Sequence, residues 1–192
     1  MSVILSAAIL LTSLISVLIF IALAVFTISI YNSLIALKIN IERASSNIDV
    51  LAKQRFDEIP NLVEICKAYM KYESETLQNI ISARNFFLGS SETAQKVQAN
   101  FALEGALKTL YAVSEDYPQL QANNEFLHLQ KRITDLENKI ADRREFYNAS
   151  VAVFNSRIRQ IPDIAIAYLL KYEEKPMFKA SQNETESQTI NF

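Results

Sequence analysis

"FLHLQKRITDLENKIADRREFYNASVAVFNSRI", residues 126–158, decides the fold class. Phe126, Leu129, Ile133, Leu136 and Ile140 recur at alternating steps of three and four. After one irregular step, Tyr147, Val151, Phe154 and Ile158 resume the pattern. Steps of three and four keep apolar side chains on one stripe of a helix, whereas a half-buried strand alternates at two. The stretch therefore predicts a long helix, from about Asn123 to Gln160, with its seam packed by neighbouring helices.

Working outward, the same logic covers most of the chain. Its 192 residues include only 2 glycines and 4 prolines and no tryptophan. So few turn formers imply few, long elements and an all-α fold. Ile48, Leu51, Ile59, Leu62, Cys66, Tyr69, Leu77, Ile80 and Phe87 stripe a segment from about Asn32 to Leu88. Val97, Phe101, Leu107, Leu110 and Tyr111 stripe another, from about Glu92 to Asp116. Between them "GSSE" (89–92) reads as a break, with Gly89 at C′ and Ser91 as the next cap. The second segment ends at "YPQL", because the residue before Pro118 is pushed out of helical geometry. Pro162 starts or kinks a short helix to about Tyr172. The expected architecture is an antiparallel bundle of about three to four long helices plus a short C-terminal helix. The polar "SQNETESQTINF", 181–192, reads as a disordered tail.

The first residues are of another kind. Val3 to Tyr31 is a run of 29 residues without charge, Gly or Pro, and no Asp, Glu, Lys, Arg or His precedes Lys38. At about 1.5 Å per residue this spans a hydrocarbon core of roughly 30 Å. A cleaved signal peptide is the competing reading. It calls for a basic n-region and a shorter apolar core, and neither is present. The N-terminal side has no basic residue, while Lys38, Arg43, Lys53 and Arg55 follow the span. The basic-residue bias therefore expects the N-terminus outside and the helical domain in the cytoplasm. The domains expected are an anchor at 1–31, a helical body at 32–180 and the tail at 181–192.

Charges interrupt the apolar stripes. Arg55 lies between Leu51 and Ile59, Glu73 four after Tyr69, and Arg84 four after Ile80. Glu104 lies between Phe101 and Leu107, and Arg143 between Ile140 and Tyr147. One reading sets them at stripe edges with their heads in water. The sharper one turns Arg55 and Arg143 inward to meet Glu73, Glu104 or Glu137. Pro60, in "RFDEIPN", poses a related puzzle. It either kinks the first segment or starts a new helix at N1, with Asp57 and Glu58 at its positive end. Both options make this a joint between a membrane-proximal stalk and the bundle.

Catalytic chemistry finds little to work with. "EFLH" gives Glu125 and His128 the Glu-x-x-His spacing of di-iron bundles, but His128 is the only histidine and a complete site needs two such motifs. Cys66, the only cysteine, lies on an apolar stripe and reads as an inert buried thiol. Two isolated glycines cannot form a phosphate loop. Tyr69, Tyr72, Tyr111, Tyr117, Tyr147 and Tyr168 read as packing rather than a ligand cage. Net charge is −2, and no basic stripe suggests nucleic acid. No catalytic, cofactor-binding or metal residue is expected, and no cofactor.

Several stretches together resemble the LemA family. They are "YNSL" (31–34), "ASSNIDVLAKQRFDEIPNLVEICKAYMKYE" (44–73), "ISAR" (81–84), "SEDYPQLQANNEFLHLQ" (114–130), "LENKIADRREFYNASVAVFN" (136–155) and "PMFKA" (176–180). The resemblance covers nearly all of Tyr31 to Ala180. It implies a short N-terminal tail, one membrane helix and a soluble helical bundle. It brings no established active site, and suggests a surface presented at the membrane. The leading expectation is a membrane-anchored scaffold or interaction protein, touching the bilayer through its N-terminal helix and a protein partner through its bundle. The alternative is an enzyme or small-molecule sensor with an unrecognised site inside the bundle.

Overall fold

The computed structural model describes residues 2–178, apart from the side chains of residues 2–9, 93 and 94. The expected tail at 181–192 lies outside the described residues. Among those described, every regular element is a helix: α1 (Ser2–Tyr69), α2 (Ser74–Gly89), α3 (Thr93–Ser114), α4 (Pro118–Gln121), α5 (Asn124–Arg157) and α6 (Asp163–Leu169). The all-α reading is thus met, and so is one long apolar N-terminal helix. The described chain divides into two compact units, residues 2–44 with 146–177 and residues 45–145 with 178.

In the first unit, α1 carries the apolar run. Its hydroxyls bond within the helix: Ser13 Oγ donates to the Leu10 carbonyl (2.9 Å), Ser16 Oγ to Thr12 (2.8 Å) and Thr27 Oγ1 to Leu23 (2.8 Å). An apolar surround is therefore tolerated. Beyond the run, Ile30, Leu34 and Ile41 join Val151, Phe154, Ile158 and Ala167 in a buried core. Arg157 donates from Nη1 to Ser33 Oγ (3.1 Å), and its Nε pairs with Asp163. After α6, Tyr172 N–H reaches back to the Ala167 carbonyl and Lys171 N–H to Tyr168, a Schellman closure with Lys171 left-handed (φ 52°). The extended chain that follows is clipped to α5. Asn155 makes two 2.9 Å bonds to the Lys175 backbone, and Tyr147 Oη donates to the Pro176 carbonyl (3.2 Å).

In the second unit, α1 and α5 run antiparallel. Arg55 bonds Glu137, Glu58 bonds Arg132, and Tyr69 bonds Asn123, so one number falls as the other rises. The predicted stripes close the core here: Ile48, Ile59, Leu62, Cys66, Leu77, Ile80, Phe87, Leu107, Leu110, Phe126, Leu129, Ile133, Leu136 and Ile140 are buried. Asn123 caps α5, its Oδ1 accepting from the Glu125 and Phe126 amides (2.9 and 3.0 Å).

Four local expectations need correction. The first segment does not run to Leu88; it breaks between Tyr69 and Ser74, where no Gly or Pro marks the turn. Gly89 is the last helical residue, with no positive φ, because the chain leaves through an extended Ser90 whose Oγ takes the Phe86 carbonyl (2.6 Å). Glu92, not Ser91, occupies the N-cap of α3. Pro60 starts no helix; α1 runs through it. Proline there withholds the amide that would bond the Phe56 carbonyl. Arg84 of α2 fills the gap, donating from Nε to that carbonyl at 3.3 Å.

Candidate functional site

The polar residues that the stripes singled out meet in the second unit. Arg55 sits on the inward stripe of α1 and is 2% exposed. Its Nη1 donates to Glu137 Oε1 on α5 (3.2 Å), and its Nη2 to Asn100 Oδ1 on α3 (2.6 Å). Asn100 is held in turn by Nδ2 to the Lys96 carbonyl (2.8 Å). One guanidinium thereby joins three helices at one level. Burial pulls the Arg55 pKa below its usual value despite Glu137, with Arg144 adding repulsion. Burial likewise raises the Glu137 carboxyl, and Glu104 pushes the same way, against the pull of Arg55. Both groups pay desolvation and recover part of it from each other.

The inward reading therefore holds for Arg55 with Glu137, and fails for Arg143, which is exposed. The step from Ile140 to Tyr147 leaves either 143 or 144 on the stripe. The helix turns Arg144 inward instead, its guanidinium 5.2 Å from the Phe101 ring. Glu104 stays exposed. Glu73 is half-buried and accepts from Tyr117 Oη (3.3 Å) rather than from an arginine. Glu125 and His128 both face outward. Cys66 is fully buried, and burial pushes its thiol up to about 12.

Three participants escaped the sequence reading. Asn100 sits one residue before Phe101, with no charge to flag it. Arg144 was hidden by the irregular step. Tyr111 reads as packing from its place on the stripe; its buried Oη, like Arg55 Nε, has no hydrogen-bond partner among the described residues. Burial is the main cause that raises the Tyr111 pKa. Arg55 is sealed at 2% exposure, while Glu137 keeps 26%. The geometry of the cluster fixes register between helices.

Openings lie at the surface of the same unit. A groove of about 540 Å³ runs between α2 and α3, lined by Ala83, Phe86, Phe101, Ala102, Gly105 and Ala106 among others. Phe86 is an exposed ring, and a Cβ at Gly105 would meet nothing within 4 Å, so the groove floor is open. A polar groove between α1 and α5 carries Gln54, His128, Lys131, Arg132, Asp135 and Lys139. Among the described residues no group of three or more His, Cys, Asp or Glu side chains is placed to hold a metal ion.

The profile of the LemA family matches residues 44–192, and the chain belongs to that family. Protein LemA of Metamycoplasma hominis is 26% identical over 148 residues, 75% of this chain and 66% of that protein. Magnetosome protein MamQ 2 of Paramagnetospirillum magneticum is 32% identical over 74 residues, 38% of this chain. Magnetosome protein MamQ of Magnetospirillum gryphiswaldense is 33% identical over 73 residues. The matched stretch spans about a quarter (27%) of each of these two magnetosome proteins.

Proposed function

We propose that this chain is a single-pass membrane-anchored helical scaffold or interaction protein, with its N-terminus outside, its antiparallel helical bundle in the cytoplasm, and no catalytic role. One observation carries the reading: α1 is a single helix from Ser2 to Tyr69. Its first part is apolar and exposed, and its later part is the spine of both cores. A helix with an 18-residue stretch of mean hydropathy 2.7 is long and apolar enough to cross a bilayer. With no linker between span and body, the bundle is held at the membrane surface. The buried charges on the stripes, Arg55 and Glu137, bond one another. The exposed α2–α3 groove offers a protein partner its surface.

Two measurements test this together. Alkaline carbonate should leave the full chain in the membrane and release a form lacking residues 1–31. A photo-crosslinker at Phe86 should give a discrete protein adduct in intact membranes, and the same probe at Lys108 should not. Release of the full chain overturns the anchor; equal labelling from both positions overturns the docking face. The alternative reading, a sensor with an internal site, rests on the unpartnered Tyr111 Oη and Arg55 Nε. It requires a small anion or metabolite to raise the melting temperature in wild type and not in Tyr111→Phe.

A further inference from the structure

We infer that the α5–α6 turn of the first unit is a second membrane contact, an apolar foot that enters the bilayer interface beside the anchor; this rests on the anchored reading above. The foot is Ile161, Ile164, Tyr168 and Leu169, which are 90%, 45%, 84% and 79% exposed. A short turn and a seven-residue helix gain nothing in water from four such side chains. Their place in the fold explains them. Phe154 on α5 packs on Tyr172 (ring centroids 5.6 Å), which lies under the Lys38 ammonium of α1 (5.8 Å). Arg157, less than one turn further along α5, reaches Ser33 (3.1 Å). As α5 advances, its partner on α1 moves back towards the apolar run. Ile158 then shares a buried core with Ile30. The chain next turns through Gln160–Pro162, and α6 returns Ala167 to that core.

The uncharged run on α1 extends to Tyr31, and no charge occurs before Lys38. Ser33 lies about 3 Å of helix rise beyond Tyr31. The polar layer on each side of a hydrocarbon core is roughly 5–8 Å deep. A turn that begins level with Ser33 and runs towards Ile30 therefore lies within that layer. Tyrosine suits this boundary, with its ring in the apolar zone and its hydroxyl in the headgroups. The occupant is the bilayer, because the patch continues the surface that α1 already gives to lipid. The charges around it nearly balance: Asp163 pairs with Arg157 and Glu174 with Arg159, leaving Lys171, Glu173 and Lys175. Insertion should thus depend little on anionic lipid.

The test uses the full chain in vesicles of phosphatidylethanolamine and phosphatidylglycerol. Cys66 is buried, so single cysteines at Ile161→Cys, Tyr168→Cys, Phe146→Cys and Phe26→Cys can be labelled natively with an environment-sensitive fluorophore. Shallow nitroxide lipids should remove roughly half or more of the emission at 161 and 168. At Phe146, about 16 Å along α5 from Arg157, aqueous iodide should quench instead. Iodide quenching at 161 and 168 as strong as at 146 overturns the inference. So does protection from both quenchers, which means a second copy or another protein covers the foot. Deep nitroxide lipids at Phe26 separate the two readings. Quenching there without quenching at 161 and 168 removes the foot and keeps the anchor; no quenching at Phe26 removes both.

Discussion

Arg55 and Arg143 are the same side chain in two environments, and magnitudes separate them. Breaking a buried ion pair costs about 3–5 kcal/mol, whereas an exposed charge contributes roughly 0–1 kcal/mol. Glu137 retains 26% exposure, so some solvent screening lowers the cost at Arg55. Arg55→Met should lose about 2–3 kcal/mol in urea unfolding, and Arg143→Met less than about 0.5 kcal/mol. Because Glu137 is pushed upward by burial, protonation in acid relieves the stranded carboxylate. The loss in Arg55→Met should therefore shrink as pH falls through the raised value, visible as converging unfolding midpoints. Cys66 gives a second prediction at this scale. Its folded pKa of about 12 lies above its ordinary 9.0, so the stability tied to the protonated thiol is complete below pH 9 and lost as pH rises towards 12. Over that window wild type should lose about 1.4 kcal/mol per pH unit more than Cys66→Ala. Parallel pH profiles for the two would show that the thiol ionises freely. The inert thiol and the inward Arg55 were legible because each falls on a regular stripe. Asn100 and Tyr111 were not, since neither side chain has a charge or a period to reveal that it faces a guanidinium.

At the scale of elements, α5 was the most legible, its seam holding from Phe126 to Ile158 with Arg157 closing the helix. The end of α1 was the least. "MKYE", 70–73, contains no breaker; Met70 is buried and Glu73 takes the Tyr117 hydroxyl, so tertiary contacts end the helix. The short α4 begins at Pro118, whose sequence signal marks only the end of the preceding segment. Pro60 shows how one element repairs another. Its missing amide frees the Phe56 carbonyl, and Arg84 bonds it from α2. Nothing local in the sequence links residues 60 and 84. Arg84→Leu should cost about 1 kcal/mol in the native background, the usual net value of such a bond. In Pro60→Ala the restored amide takes the carbonyl itself, and Arg84→Leu should then cost less than half as much. A double-mutant cycle measures the coupling. Additive losses would mean that Arg84 stabilises α2 for some reason other than Phe56.

For the whole molecule, the sequence separates the apolar run from the charged remainder and shows no obvious linker between them, yet no residue marks where the helix passes from one role to the other. The reason is physical: a continuous helix needs no signal at the boundary, and Tyr31 to Leu37 simply changes its packing from lipid-like exposure to the core of Ile30, Leu34 and Ile41. In the proposed topology, the side that receives the body follows from a small bias, Lys38 and Arg43 after the apolar run against no basic residue before it. Short flanks within about 15–20 residues of the span govern orientation, and acidic residues count little. A fluorescent reporter at the C-terminus, which matures only in the cytoplasm, should therefore light up, while an alkaline phosphatase reporter at the same place stays inactive. The bias is small enough to be overturned by design. Replacing Lys38 and Arg43 with glutamine and adding a short run of lysines after Met1 should move the larger basic flank to the N-terminal side. Phosphatase activity should then rise and fluorescence fall. If the two reporters keep their native signals in that variant, the body is placed by its own folding before insertion rather than by the flanking charges.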